Sequence, residues 1–178
     1  MNSDALPNEP WIATSGDEQA TASIGAAVGR VCRAGDVVAL VGDLGAGKTC
    51  FVRGLAAGLN LDPEEVSSPT FVLVQEYSGA GARLDLVHMD AYRLEGVDDM
   101  ASIGWDWGGD EMRRDVVTAI EWSDRLAVKP DGAVLDVQLD PVGVTARRVA
   151  VTPFGSWRPR MADLAALLET VCGEHDSG

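Results

Sequence analysis

The chain has 178 residues, enough for one domain with a substantial core, and 46% of them are hydrophobic, as in globular proteins. Its 28 acidic against 14 basic residues leave a formal charge of −14, which argues against tight direct binding of duplex nucleic acid or tRNA through a broad basic face. No apolar run approaches the ~18–20 residues that span a membrane. Cys32, Cys50 and Cys172 are far apart and form no C-x-x-C pair, so zinc and dithiol chemistry are poorly supported and a reducing cytoplasm is expected.

Residues 1–10 are polar and acidic and lack the basic and apolar regions of a leader peptide. They are expected to belong to a flexible tail that ends at residue 14. Ser15-Gly16-Asp17-Glu18 has the form of a capping box, and Ile24, Val28 and Val31 follow it at helical spacing. Residues 37–41 are continuously apolar, as in a strand covered on both faces. A Gly-rich loop follows, and residues 49–59 read as a helix. Residues 71–77 and 84–89 read as two strands of a hairpin around the turn at 78–81. Residues 96–109 are irregular and carry Trp105 and Trp107, read as local packing. Residues 116–120 form another buried strand, ending at Glu121-Trp122. A final strand pair is expected at 134–139 and 148–151, and an amphipathic helix at 161–171. Residues 173–178 are read as a tail. With no internal repeat or linker, residues 15–172 are expected to be a single domain.

The segment Gly42-Asp43-Leu44-Gly45-Ala46-Gly47-Lys48-Thr49 fits G-x-x-x-x-G-K-[ST], with an apolar strand entering and a helix leaving. The chemistry requires these residue types. Glycines let successive N–H groups turn toward phosphates without a side-chain clash, and the helix N-terminus adds donors and the positive end of its dipole. Lys48 is one of only two lysines, the other being Lys129, so its place in the loop is not background. It is expected to reach the β- and γ-phosphates, with the Thr49 hydroxyl on Mg²⁺. The fold class that follows is α/β: a P-loop NTPase with a mixed parallel and antiparallel central sheet and flanking helices.

Such a site needs an acid near the metal, usually at the end of a buried strand. Asp90 and Glu121 each follow an apolar run directly, and either fits. His88, beside Asp90, reads as a hydrogen-bonded structural residue. Ser67-Ser68-Pro69-Thr70 is a polar turn, read equally as a simple turn or as a switch segment in which Thr70 meets the γ-phosphate or its metal.

Taken in order, the loop at 42–49, Ser-Pro-Thr-Phe at 68–71, His-x-Asp-x-Tyr-Arg-Leu at 88–94 and Glu-Trp at 121–122 resemble the TsaE family of bacterial ATPases, which take part in forming threonylcarbamoyladenosine in tRNA. The resemblance covers residues 15–152. It implies ATP and Mg²⁺ as ligands. Leu44, Gly45, Ala46, Gly47 and Lys48 match phosphate-binding positions, and Thr49 and Glu121 match positions that hold the metal. Asp90 matches a position tied to hydrolysis, through the metal or the attacking water, and Thr70 matches the switch threonine. Glu18 matches a segment near the nucleotide base. The implied partners are the TsaB and TsaD proteins, with tRNA reached only through the complex and no membrane. TsaD carries out the transfer chemistry, and ATP hydrolysis turns the assembly over. The chain departs from the family pattern at Cys50, where members often have Thr, and at Ala101, where many have Glu, with Asp98 and Asp99 nearby.

Other readings of the loop lead elsewhere. A small-molecule kinase usually brings a lid of arginines, for which Arg113-Arg114 is the nearby candidate. A GTP switch commonly uses Asn-Lys-x-Asp, whereas Val128-Lys129-Pro130-Asp131 lacks the Asn. A binding module would use the nucleotide only to fix a conformation for its partner.

Overall fold

The structure is a computed structural model describing residues 9–94, 116–126 and 132–175. In chain order the elements are β1 (Trp11–Ser15), α1 (Glu18–Val31), β2 (Val37–Val41), α2 (Lys48–Gly58), β3 (Val74–Tyr77), β4 (Asp85–Asp90), β5 (Val116–Glu121), β6 (Val134–Pro141), β7 (Arg147–Pro153) and α3 (Met161–His175). The strands make one seven-stranded sheet in the order β1-β7-β6-β2-β5-β4-β3. β2 pairs in parallel with β5 and β6, and β4 with β5. Antiparallel pairs flank this centre: β3 on β4, β7 on β6, and β1 on β7. The mixed α/β sheet expected from the sequence is therefore present.

Each central strand serves two cores. Val38 and Leu40 face a large cluster with Ile24, Phe51, Leu55 and Trp157, while Val37 and Ala39 face a smaller one with Val87, Met89 and Ile120. This is why β2 is apolar throughout, and β5 is apolar but for Thr118 and the terminal Glu121, rather than alternating.

α1 and α2 pack backbone to backbone. A Cβ on Gly54 would stand 1.8 Å from the Ala22 carbonyl oxygen, and one on Gly25 would stand 2.2 Å from that of Phe51. No other residue fits at either position, so the contact fixes α2, whose first residue is Lys48, against α1.

Several expectations shift. Residues 11–14, expected as tail, form with Ser15 an edge strand paired with β7. The N-cap of α1 is Asp17, whose Oδ1 accepts from Ala20 N at 2.8 Å, and not Ser15. Ser15 instead shares a 2.8 Å hydrogen bond with the Thr21 hydroxyl. Residues 71–73 are not strand, because Val72 and Leu73 N–H turn back to Pro69 O and Leu73 has φ +68°, so β3 starts at Val74. The terminal helix runs through His175, beyond the expected start of a tail. Trp105, Trp107, Arg113, Arg114, Ala101, Asp98, Asp99 and the 128–131 segment lie outside the described residues.

A buried pair ties the start of β2 to the C-terminal part of the chain. Arg160 donates from Nη1 to Asp36 Oδ2 and from Nη2 to Oδ1, both at 2.7 Å, and its guanidinium lies 3.9 Å over the Trp157 ring. Removing one partner strands the other charge away from water. Arg160→Met is expected to destabilise the fold by about 3–5 kcal/mol, measured by urea unfolding. Adding Asp36→Asn to it recovers part of that loss.

Candidate active site

The site forms where β2, β4 and β5 end together. The loop after β2 turns through three glycines with positive φ: Gly42 at 154°, Gly45 at 79° and Gly47 at 102°. Gly47 is the N-cap of α2 and makes no side-chain cap bond, so the first amides of the helix are not covered by a cap of their own. Lys48 is only 4% exposed. Its Nζ donates to Gly42 O at 2.6 Å and Asp43 O at 2.9 Å and stands 3.7 Å over the Trp122 ring. Burial pulls its pKa below the usual lysine value, while Glu121, Asp90, Asp124 and Asp43 pull it back up.

Asp90 and Glu121 are the last residues of β4 and β5 and stand side by side in register. The structure divides them. Glu121 Oε1 accepts from the Thr49 hydroxyl at 2.7 Å and from His88 Nε2 at 3.0 Å. Asp90 Oδ2 accepts from the Thr70 hydroxyl at 2.8 Å, and its Oδ1 accepts from Tyr92 N at 2.8 Å. One acid is thus joined to the phosphate-loop helix and the other to the 68–72 segment. Ser68 shares a 2.8 Å hydrogen bond with Thr70. His88 is fully buried and is spent on Glu121 rather than facing the cleft.

These groups enclose a cleft of about 340 Å³. Of the residues singled out in the sequence, Glu18, Leu44, Gly45, Gly47, Lys48, Thr49, Thr70, Asp90 and Glu121 all line it. Ala46 does not: it is fully buried beneath the loop. Cys50 lines the cleft and donates its thiol to Glu18 O at 3.1 Å, and burial holds that thiol above its ordinary pKa.

Four contributions were not assigned from the sequence. Trp122 adopts a left-handed backbone (φ +59°) that brings its ring against Lys48 and within 5.0 Å of Tyr92. Arg53 donates from Nε to Val66 O at 3.0 Å, anchoring the chain just before the Ser-Pro-Thr turn. Ser68 completes the Thr70 contact. Arg147, from the far side of the sheet, donates to two carbonyls of the phosphate loop. Trp122 and Ser68 carried a sequence signal, as parts of the Glu-Trp pair and the Ser-Pro-Thr-Phe motif; Arg53 and Arg147 carried none that pointed to the site.

The donors suit Mg²⁺. Among the described residues no group of three His, Cys, Asp or Glu side chains stands ready for a metal. The Thr49 hydroxyl and Glu121 carboxylate are hard oxygen donors of the kind Mg²⁺ takes, and the two would hold that ion only together with phosphate oxygens and water.

Comparisons with known proteins show the family and the fold of the chain. The family described as threonylcarbamoyl adenosine biosynthesis protein TsaE matches residues 15–149. A Nostoc protein named tRNA threonylcarbamoyladenosine biosynthesis protein TsaE is 40% identical over 78% of this chain and 83% of its own length. One of the same name from Treponema pallidum is 48% identical over 61% of this chain and 76% of its own. The crystal structure of YdiB from Bacillus subtilis superposes with a TM-score of 0.65 at 25% identity, covering 97% of this chain and 100% of that one. With the family's span taking in the phosphate loop, the 68–72 turn and both strand-end acids, the chain belongs to the TsaE family.

Proposed function

We propose that the chain binds ATP with Mg²⁺ and hydrolyses it in support of threonylcarbamoyladenosine formation in tRNA, together with TsaB and TsaD proteins. The observation that carries the hydrolytic part is the division of the paired acids, with Thr49 on Glu121 and Thr70 on Asp90 at the mouth of the phosphate loop. Thr49 and Glu121 would hold Mg²⁺, which would supply charge neutralisation for the phosphate oxygens. Lys48 exchanges its two loop carbonyls for phosphate oxygens. Thr70 and Asp90 face the outer end of the triphosphate, where an attacking water is oriented. The role in tRNA modification rests on the names of the relatives, and the partners rest on the family resemblance.

The charge of −14 gives the chain little attraction of its own for tRNA, which fits a protein that reaches tRNA through other subunits. No helix among the described residues is long and apolar enough to cross a membrane.

The test is phosphate release from ATP by the purified chain, with and without TsaB and TsaD. Partner-stimulated release that requires Mg²⁺ is expected. Transfer of the phosphate to an added small molecule without hydrolysis overturns the reading in favour of a kinase. Within this reading, Asp90→Asn keeps an acceptor for Tyr92 N but removes the charge beside Thr70. It is expected to lower kcat about 10²-fold with nucleotide affinity nearly unchanged, read by steady-state kinetics alongside calorimetry.

A further inference from the structure

Glycine-rich loops reach many backbone conformations, and a cradle that must first be ordered binds weakly. Something must select the one arrangement in which the loop's amides face a phosphate. Arg147, the first residue of β7, is placed to do this. Its Nε donates to Ala46 O at 3.1 Å and its Nη2 to Gly45 O at 3.3 Å, across more than a hundred residues of sequence. Its Nη1 donates to Ala146 O at 3.1 Å and Val144 O at 3.4 Å, in the β6–β7 turn. One planar fork therefore joins the phosphate loop to the turn of a hairpin fixed in the sheet. The residue's own backbone is held between Ser15 on β1 and Pro141 on β6.

The consequence follows from the peptide plane. In a trans peptide the C=O and N–H point in opposite directions, and no peptide among the described residues is cis. Drawing Ala46 O outward onto Arg147 turns the Gly47 N–H inward, toward the cleft that Gly47 lines. Holding Gly45 O in the same way supports the tight turn closed by Ala46 N–H on Asp43 O at 3.0 Å. A lysine has the charge but not the fork, so it cannot reproduce both bonds with one geometry.

We propose that Arg147 is a positioning residue of the nucleotide site, which fixes the peptide planes of residues 45–47 so that the loop is ordered for phosphate before nucleotide arrives. The inference rests on the reading of the 42–49 loop as a phosphate site. It predicts an effect on binding rather than on the bond-breaking step, because Arg147 holds the loop carbonyls and does not line the cleft with Asp90 and Thr70.

The experiment compares wild type, Arg147→Gln, Arg147→Lys, Arg148→Gln and Lys48→Ala by calorimetry with ATP and ADP, by thermal melting without nucleotide, and by kcat at saturating ATP. Arg147→Gln is expected to weaken ATP and ADP by the same factor, about ten- to a hundredfold, with kcat and the melting midpoint little changed. Arg147→Lys is expected to weaken both nearly as much. Arg148 pairs with Asp140 at the surface at 3.3 Å, so Arg148→Gln removes one charge from the neighbouring position and is expected to bind as wild type. Wild-type affinity in Arg147→Gln or in Arg147→Lys overturns the inference alone, as does an affinity loss matched by unfolding. A Lys48→Ala protein that binds ATP normally, or a wild-type chain that binds none, overturns the phosphate-site reading, and the inference falls with it.

Discussion

Lys48→Ala is expected to reduce ATP affinity at least about 100-fold while the protein stays folded. The reason lies in what Nζ does without nucleotide. It is almost withdrawn from water, donates to Gly42 O and Asp43 O, and lies on the Trp122 ring. Each bond is exchangeable for one to a phosphate oxygen of higher charge, so binding costs the lysine no new desolvation. Burial has already lowered its pKa, and an arriving triphosphate favours the charged form, so ligand charge and lysine charge reinforce each other. The fold does not depend on this residue, because the carbonyls it leaves lie at an open loop where water replaces it. Lys48→Met, which keeps most of the stem against Trp122, separates packing from charge. Calorimetry showing near wild-type affinity in either variant rejects the assignment of the loop.

Glu121→Gln is expected to cost about 10²–10³ in kcat, with ATP affinity in the absence of Mg²⁺ nearly unchanged. Glu121 holds the Thr49 hydroxyl and His88 Nε2 on one oxygen and is 3% exposed. The amide has nearly the same shape but no charge with which to hold a divalent ion. Glu121→Ala goes further, because it leaves the buried His88 N–H without its acceptor. That variant should also lose about 1–3 kcal/mol of stability by urea unfolding. A Glu121→Gln enzyme with full Mg²⁺-dependent turnover moves the metal to Asp90.

What the sequence revealed tracks how local each signal is. The phosphate loop is contiguous, and its residue types are dictated by chemistry that acts within a few residues, so its place between β2 and α2 was legible, though not the burial of Ala46. Asp90 and Glu121 were legible as acids closing buried strands. Their division was open from the residues alone and was implied only by the family resemblance, because it depends on a hydrogen bond between residues 72 apart and another between residues 20 apart. β1 escaped notice because an edge strand with alternating burial gains its identity from β7, far along the chain. Residues 71–73 carried an apolar composition that suggested strand, yet Phe71 is 85% exposed and Pro69 O captures the amides that a ladder would need. Ser15 and Asp17 competed for the same helix start, and Asp17 won by position. Arg147 left no local trace: an arginine beside another arginine at a strand end reads as a solvated face until the sheet brings it behind the loop.

The central claim is that the cleft at the 42–49 loop binds ATP in the service of tRNA modification. It is tested most directly by the threonylcarbamoyladenosine content of tRNA in a bacterium depleted of its own TsaE and supplied with this chain. Restoration by the wild type and not by Glu121→Gln, at equal protein levels, is the predicted result. Restoration by both variants alike, or by neither when TsaB and TsaD are present and bind the chain, contradicts it.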